Sequence, residues 1–203
     1  HQSWARAPAF RNGQRYGTVT LPLGPDWGGP LFLSQYPFLG IDPRGLRDDY
    51  ADYGVQARAH ALVNRHHCLR NPHGWKGYGP DLWGLTASDD PGGYVAHSPT
   101  EDTGTITPSA ALGSFPFAPD EAMPVLRHMH DDLGDWIWGE AGFVDAFSPT
   151  HDWAADSRLA IDQAPIVIGL ENHRSGLLWR LVSGRPEVRR GLQALGFTAP
   201  YLA

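Results

Sequence analysis

The 203 residues include one cysteine, Cys68, so no disulfide can close within the chain. No stretch approaches the roughly 20 apolar residues that a bilayer-spanning helix needs, and no secretion-signal pattern is visible. The chain begins at His1 rather than Met, from which an upstream segment is expected. Clustered Lys and Arg are also lacking. Only Arg185 to Arg190 shows basic density, and the formal net charge is −6, which argues against a nucleic-acid partner. Neither HExxH nor paired CxxC spacing occurs, and GxSxG and GxxxxGK[ST] are absent, which disfavours zinc hydrolases, esterases and nucleotidases. His66-His67-Cys68 is a poor metal site, because adjacent side chains on a helix diverge by about 100°.

What is present is a core-forming composition, 41% hydrophobic, punctuated by 24 Gly and 18 Pro. Eight Trp sit mostly beside Gly, Pro and Asp. Such loop-like settings suit binding platforms, since an indole face stacks while its N–H finds a partner. A first helix is expected within Asp49 to Arg70, with Val55, Ala59, Leu62, His66 and Leu69 as its apolar stripe. A neighbouring face carries His60, Asn64 and His67, polar enough to line a cleft. Asn71-Pro72 stops this helix, and residues 71–106 read as loop.

A short small-residue helix follows Thr107-Pro108. Pro119-Asp120-Glu121 resembles the first turn of another, although Pro124 fits badly inside it and argues for a later start. Asp162 to His173, Leu177 to Val182 and Pro186 to Leu195 complete about six helices joined by long loops. Alternating β patterns are scarce, so the class is mostly α.

A collinear series of blocks then carries a resemblance. It begins with Trp27-Gly28-Gly29-Pro30-Leu31-Phe32, Tyr78-Gly79 and Trp83-Gly84-Leu85-Thr86-Ala87-Ser88-Asp89. It continues through Gly104-Thr105-Ile106-Thr107-Pro108, Gly142-Phe143-Val144-Asp145-Ala146-Phe147 and Ile161-Asp162-Gln163 to Glu171-Asn172-His173-Arg174. The series resembles the glucoamylase-like domain family, which includes bacterial endo-β-1,2-glucanases. That resemblance implies an (α/α)6 barrel, of which residues 1–203 form one partial domain, the C-terminal half. Half a barrel exposes inner helix faces, so a second chain or a missing segment is expected to complete it. The family likeness further implies an inverting glycoside hydrolase acting on β-1,2-glucan, periplasmic or secreted. Its substrate is an oligo- or polysaccharide, with no metal or organic cofactor and no membrane partner. The rival readings are a hydrolase or transglycosylase on another glucan linkage, and a glycan-binding protein on a degenerate barrel without turnover.

Glycosidic hydrolysis usually needs two carboxyl groups, about 6.5–9.5 Å apart when the reaction inverts. Asp145, between phenylalanines in GFVDAF, and Glu140, in WGEAGF, are the candidate catalytic pair. Each competes with a plainer reading as a loop-fixing carboxylate. Trp83, Ser88 and Asp89 lie in the family's most specific string, and at least one of them is expected to bind sugar hydroxyls, although an Asx-type turn also accounts for Asp89. Trp27, Tyr36, Trp83, Tyr94 and Trp153 are the stacking candidates, with core packing as the equal alternative for each. Asp162 reads as a helix N-terminal cap or dipole partner.

Overall fold

The computed structural model describes residues 11–203. Eight α-helical segments occur among them: α1 (Phe32–Gln35), α2 (Tyr53–Arg70), α3 (Pro108–Leu112), α4 (Pro119–Arg127), α5 (Gly134–Ile137), α6 (Ala160–Arg174), α7 (Leu177–Ser183) and α8 (Pro186–Ala194). Four antiparallel two-stranded ribbons accompany them: β1 (Arg15–Tyr16) with β2 (Val19–Thr20), β3 (Ala87–Asp90) with β4 (Gly93–Ala96), β5 (Trp138–Gly139) with β6 (Gly142–Phe143), and β7 (Phe147–Ser148) with β8 (Trp153–Ala154). The mostly helical class is as the sequence indicates. The β3–β4 hairpin is not, because it falls in a stretch read as loop. Its first strand, Ala-Ser-Asp-Asp, has no apolar alternation, and side-chain hydrogen bonds hold it instead.

Helix α2 starts where Asp52 accepts a hydrogen bond from the Val55 N–H at 3.1 Å. It ends at Asn71, whose φ of 44° is left-handed, with Pro72 next. Its buried face is not the expected one. Val55 is 57% exposed and Leu69 40%, whereas Gln56, His60, Asn64 and His67 are buried. The reason lies in what those polar groups hold. Gln56 exchanges two bonds with the Leu23 backbone (2.8 and 3.1 Å), and Asn64 does the same with Leu85 (both 3.0 Å). His60 meets Ser34 Oγ at 2.7 Å and the Gly29 carbonyl at 3.0 Å, and His67 meets Asp102 at 2.7 Å. Each buried polar group is thus partnered, as burial requires. The helix acts as a polar spine that tethers four loops.

The main core gathers Trp83, Leu85, Ile106, Phe115, Phe147 and Ile166 around the short helix α3. Gly84 has φ +135°, and a Cβ there would meet Ala110 Cβ and the Ala111 nitrogen at 2.9 Å. Only glycine permits that loop to lie against α3. Helix α4 begins at Pro119 and accommodates Pro124 internally, then relaxes into a wider turn over His128–Asp132. The expectation of a later start is therefore corrected. A second cluster (Phe38, Leu46, Trp179, Leu192) joins α7 and α8 to the chain's first third. Among the described residues, no helix is long and apolar enough to cross a membrane.

Candidate active site

Three segments converge on a group of acids. The first is β3, which carries Asp89. The second is the stretch between β6 and β7, where Asp145 lies between buried Phe143 and Phe147. The third is the first turn of α6, which presents Asp162. Asp145 is 1% exposed and Asp162 5%.

A closed ring of hydrogen bonds fixes Asp145. The Asp89 N–H donates to Asp145 Oδ2 at 2.7 Å. The Asp145 N–H donates to the Ser157 carbonyl at 3.0 Å. The Ser157 hydroxyl in turn donates to Asp89 Oδ2 at 2.5 Å. Both the backbone and one carboxyl oxygen of Asp145 are thereby held, while Oδ1 is buried without a protein donor.

Beside it, the Asp162 carboxyl lies within hydrogen-bonding reach of Asp145. The Tyr36 hydroxyl approaches Asp162 Oδ1 at 3.5 Å. Burial, then the neighbouring Asp145 charge, pushes Asp162 up to about 7. Burial also raises Asp145, against the bond from Asp89. Two carboxyls this close cannot both ionise cheaply, so the pair titrates as a unit and retains one proton near neutrality. Burial and the same acid charges raise Tyr36 to about 12. They also raise Tyr94, which is 64% exposed on β4 opposite Asp89.

The expected site residues therefore divide. Asp145, Asp89 and Tyr94 come together. Glu140 does not: it is exposed in the short β5–β6 connection, and the acid that interacts with Asp145 is Asp162. Trp83 is fully buried in the core, its indole N–H on the Glu121 carbonyl at 3.3 Å, so it offers no face to a sugar. Ser88 is likewise buried, bonded to Thr107 Oγ1 at 2.7 Å. Trp27 packs on Tyr16 and His66 near the amino-terminal ribbon, with a left-handed φ of 55°. Trp153 is partly buried on β8, opposite Ser148. Asp162, Tyr36 as its partner, and Ser157 are what residue patterns missed as a group. The available signal for Asp162 was an acid in the first turn of a helix, between Ile161 and Gln163. Among the described residues, no three His, Cys, Asp or Glu side chains are placed to hold a metal ion.

A mostly helical chain with a buried acid pair at a loop-built site is compatible with a glycoside hydrolase, and the comparisons name the family. The chain belongs to the family described as "Putative glucoamylase", which matches residues 1–186. It resembles a solved "putative glucoamylase" of Bacteroides uniformis, 53% identical with a TM-score of 0.97, over 100% of this chain and 50% of that one. It is also similar to an endo-β-1,2-glucanase of Chitinophaga pinensis solved with sophorotriose and glucose. There the identity is 47% and the TM-score 0.94, over 98% of this chain and 49% of the other. An exo β-1,2-glucooligosaccharide sophorohydrolase (non-reducing end) of Parabacteroides distasonis is 40% identical over 188 residues, 92% of this chain and 26% of its own length. The chain thus spans about half the length of these solved relatives and about a quarter of the curated one.

Proposed function

We propose that this chain forms part of a glycoside hydrolase acting on β-1,2-linked glucan, and that the Asp145–Asp162 pair is its proton donor. The observation that carries this reading is the pair itself: two buried, interacting carboxyls, one of them pushed up to about 7, with the exposed Tyr94 within their electrostatic influence. A carboxylic acid still protonated near neutrality is what departure of a glycosidic oxygen requires. In this reading the exposed ring of Tyr94 stacks against the C–H face of a sugar ring.

Geometry restricts the pair to one of the two catalytic functions. An inverting reaction needs its acid and base about 6.5–9.5 Å apart, with water between base and sugar. Carboxyls within hydrogen-bonding reach of each other cannot flank a glycosidic bond in that way. The opposing base therefore belongs on the part of the protein that corresponds to the other half of the solved relatives. This reading makes residues 1–203 one half of an (α/α)6 barrel. It is supported by full coverage of this chain against half of the Bacteroides uniformis structure, and by exposed Val55, Val167 and Leu181 on α2, α6 and α7. An exported, periplasmic or secreted location suits a polysaccharide substrate.

The test is incubation of the full-length protein with linear β-1,2-glucan and with β-1,3- and β-1,4-glucans, followed by product analysis and polarimetry. Short β-1,2-linked oligosaccharides released with inversion support the proposal. Binding of β-1,2-glucan without cleavage would favour the glycan-binding alternative, and cleavage of another linkage would move the substrate assignment.

A further inference from the structure

On strand β3, Ser88 and Asp90 point to one face and Asp89 to the other, as the pleat dictates. The inward face meets a single imidazole. His97, just beyond β4 and with no exposure, places Nδ1 3.1 Å from Ser88 Oγ and Nε2 3.1 Å from Asp90 Oδ2. Asp90 Oδ2 also accepts from Thr103 Oγ1 at 2.7 Å and Thr105 Oγ1 at 2.9 Å, and its Oδ1 accepts from the Gly92 N–H at 3.1 Å. His97 Nδ1 also lies 3.3 Å from the Thr86 carbonyl, and Ser88 Oγ lies 2.7 Å from Thr107 Oγ1, so both ring nitrogens have polar partners whichever one carries the proton.

Ser88, His97 and Asp90 thus have the connectivity of a nucleophilic triad, but Ser88 has no exposure and no substrate can reach it. A different task follows from the position. His97 grips the residues immediately before and after Asp89, whose N–H holds Asp145 Oδ2.

We infer that His97, braced by Asp90, is a positioning residue that sets the orientation of the Asp145 carboxyl through the Asp89 backbone. This rests on the proposed role of the Asp145–Asp162 pair. One side chain bridging positions 88 and 90 fixes the direction of the intervening N–H, and that bond engages Asp145 Oδ2 while Oδ1 has no protein donor. Loss of the bridge lets the strand shift. Misplacement by about 1 Å costs on the order of 10²-fold in rate without a matching loss of binding.

The experiment is a double-mutant cycle on β-1,2-glucan hydrolysis by the full-length protein. His97→Phe keeps the ring's bulk and removes its hydrogen bonds to Ser88, Thr86 and Asp90. The expected result is a kcat lowered about 10–100-fold with KM within about twofold. In an Asp145→Asn background the same substitution produces no further loss, because its effect passes through Asp145. An equal additional loss in that background overturns the inference, as does an unchanged kcat in the single variant. If His97→Phe fails to fold, Asp90→Asn is carried through the same cycle, with the same non-additivity expected. Full activity in Asp145→Asn alone would instead remove the acid-pair reading, and this inference with it.

Discussion

Replacing Asp162 by Asn should stabilise the protein at neutral pH but not at pH 4. Asp162 is 5% exposed, and burial with the adjacent Asp145 charge raises it to about 7 in the folded state. An unfolded aspartate titrates near 3.9. Between those values the folded protein holds a proton that the unfolded chain has released, so stability falls as pH rises across the window. A full displacement of that size corresponds to about 4 kcal/mol. Because the proton is shared with Asp145, about 2 kcal/mol is the reasoned share of Asp162. Asparagine is neutral at every pH and is spared this penalty. For a chain of this length, about 2 kcal/mol raises Tm by about 4–8 °C. Thermal unfolding of the parent and Asp162→Asn, followed by circular dichroism from pH 4 to pH 8, measures it. The two should melt within about 2 °C of each other at pH 4 and separate progressively above it. A constant difference at all pH values, or a less stable variant at pH 8, would refute the reasoning.

Further consequences concern single side chains. Tyr94→Ala removes an exposed ring and should raise KM on β-1,2-glucan about 2–10-fold with Tm little changed; an unchanged KM takes Tyr94 out of the site. Trp83→Ala should cost about 3–5 kcal/mol of stability, read by denaturant unfolding, because the indole is fully buried; a raised KM at unchanged stability would restore it as a sugar contact. Glu140→Gln, in the exposed β5–β6 connection, should leave kcat within about twofold, whereas a loss near 10³-fold would return it to the machinery. Burial alone would raise Asp90, but bonds from Thr103, Gly92, His97 and Thr105 outweigh it and hold the carboxyl at about 2. Its contribution to stability is present above about pH 4 and lost as pH falls toward 2, so Asp90→Asn should lower Tm at pH 7 and match the parent at pH 2.

The later helices were legible because their signals are local. Gly176 and Gly184 bracket α7 and Pro186 opens α8, close to where the sequence places them. Helix α2 was legible in extent but not in orientation. Apolar periodicity assumes that the core face is greasy, whereas this helix buries Gln56, His60, Asn64 and His67 to satisfy loop backbones distant in sequence. The β3–β4 hairpin escaped for the same reason, being held by Asp90, Thr103 and Thr105 rather than by alternation. At the site, Asp145 stood out through its phenylalanine neighbours. Asp162 did not, since a carboxylate in a helix's first turn has a sufficient local explanation. Only the fold brings it to Asp145 across 17 residues of chain, and no spacing rule encodes that approach. Within the family strings, the structure buries Trp83 and Ser88 in the frame, while Asp89 and Tyr94 lie near the acids.

The most direct test of the acid pair is the pH dependence of kcat for β-1,2-glucan hydrolysis, measured from pH 4 to pH 9 for the parent and Asp162→Asn. The account predicts that parental kcat falls on a basic limb centred near 7, and that the variant is at least about 10²-fold slower with that limb gone. A parental profile flat from pH 6 to pH 9, or a variant that keeps both rate and limb, would contradict it.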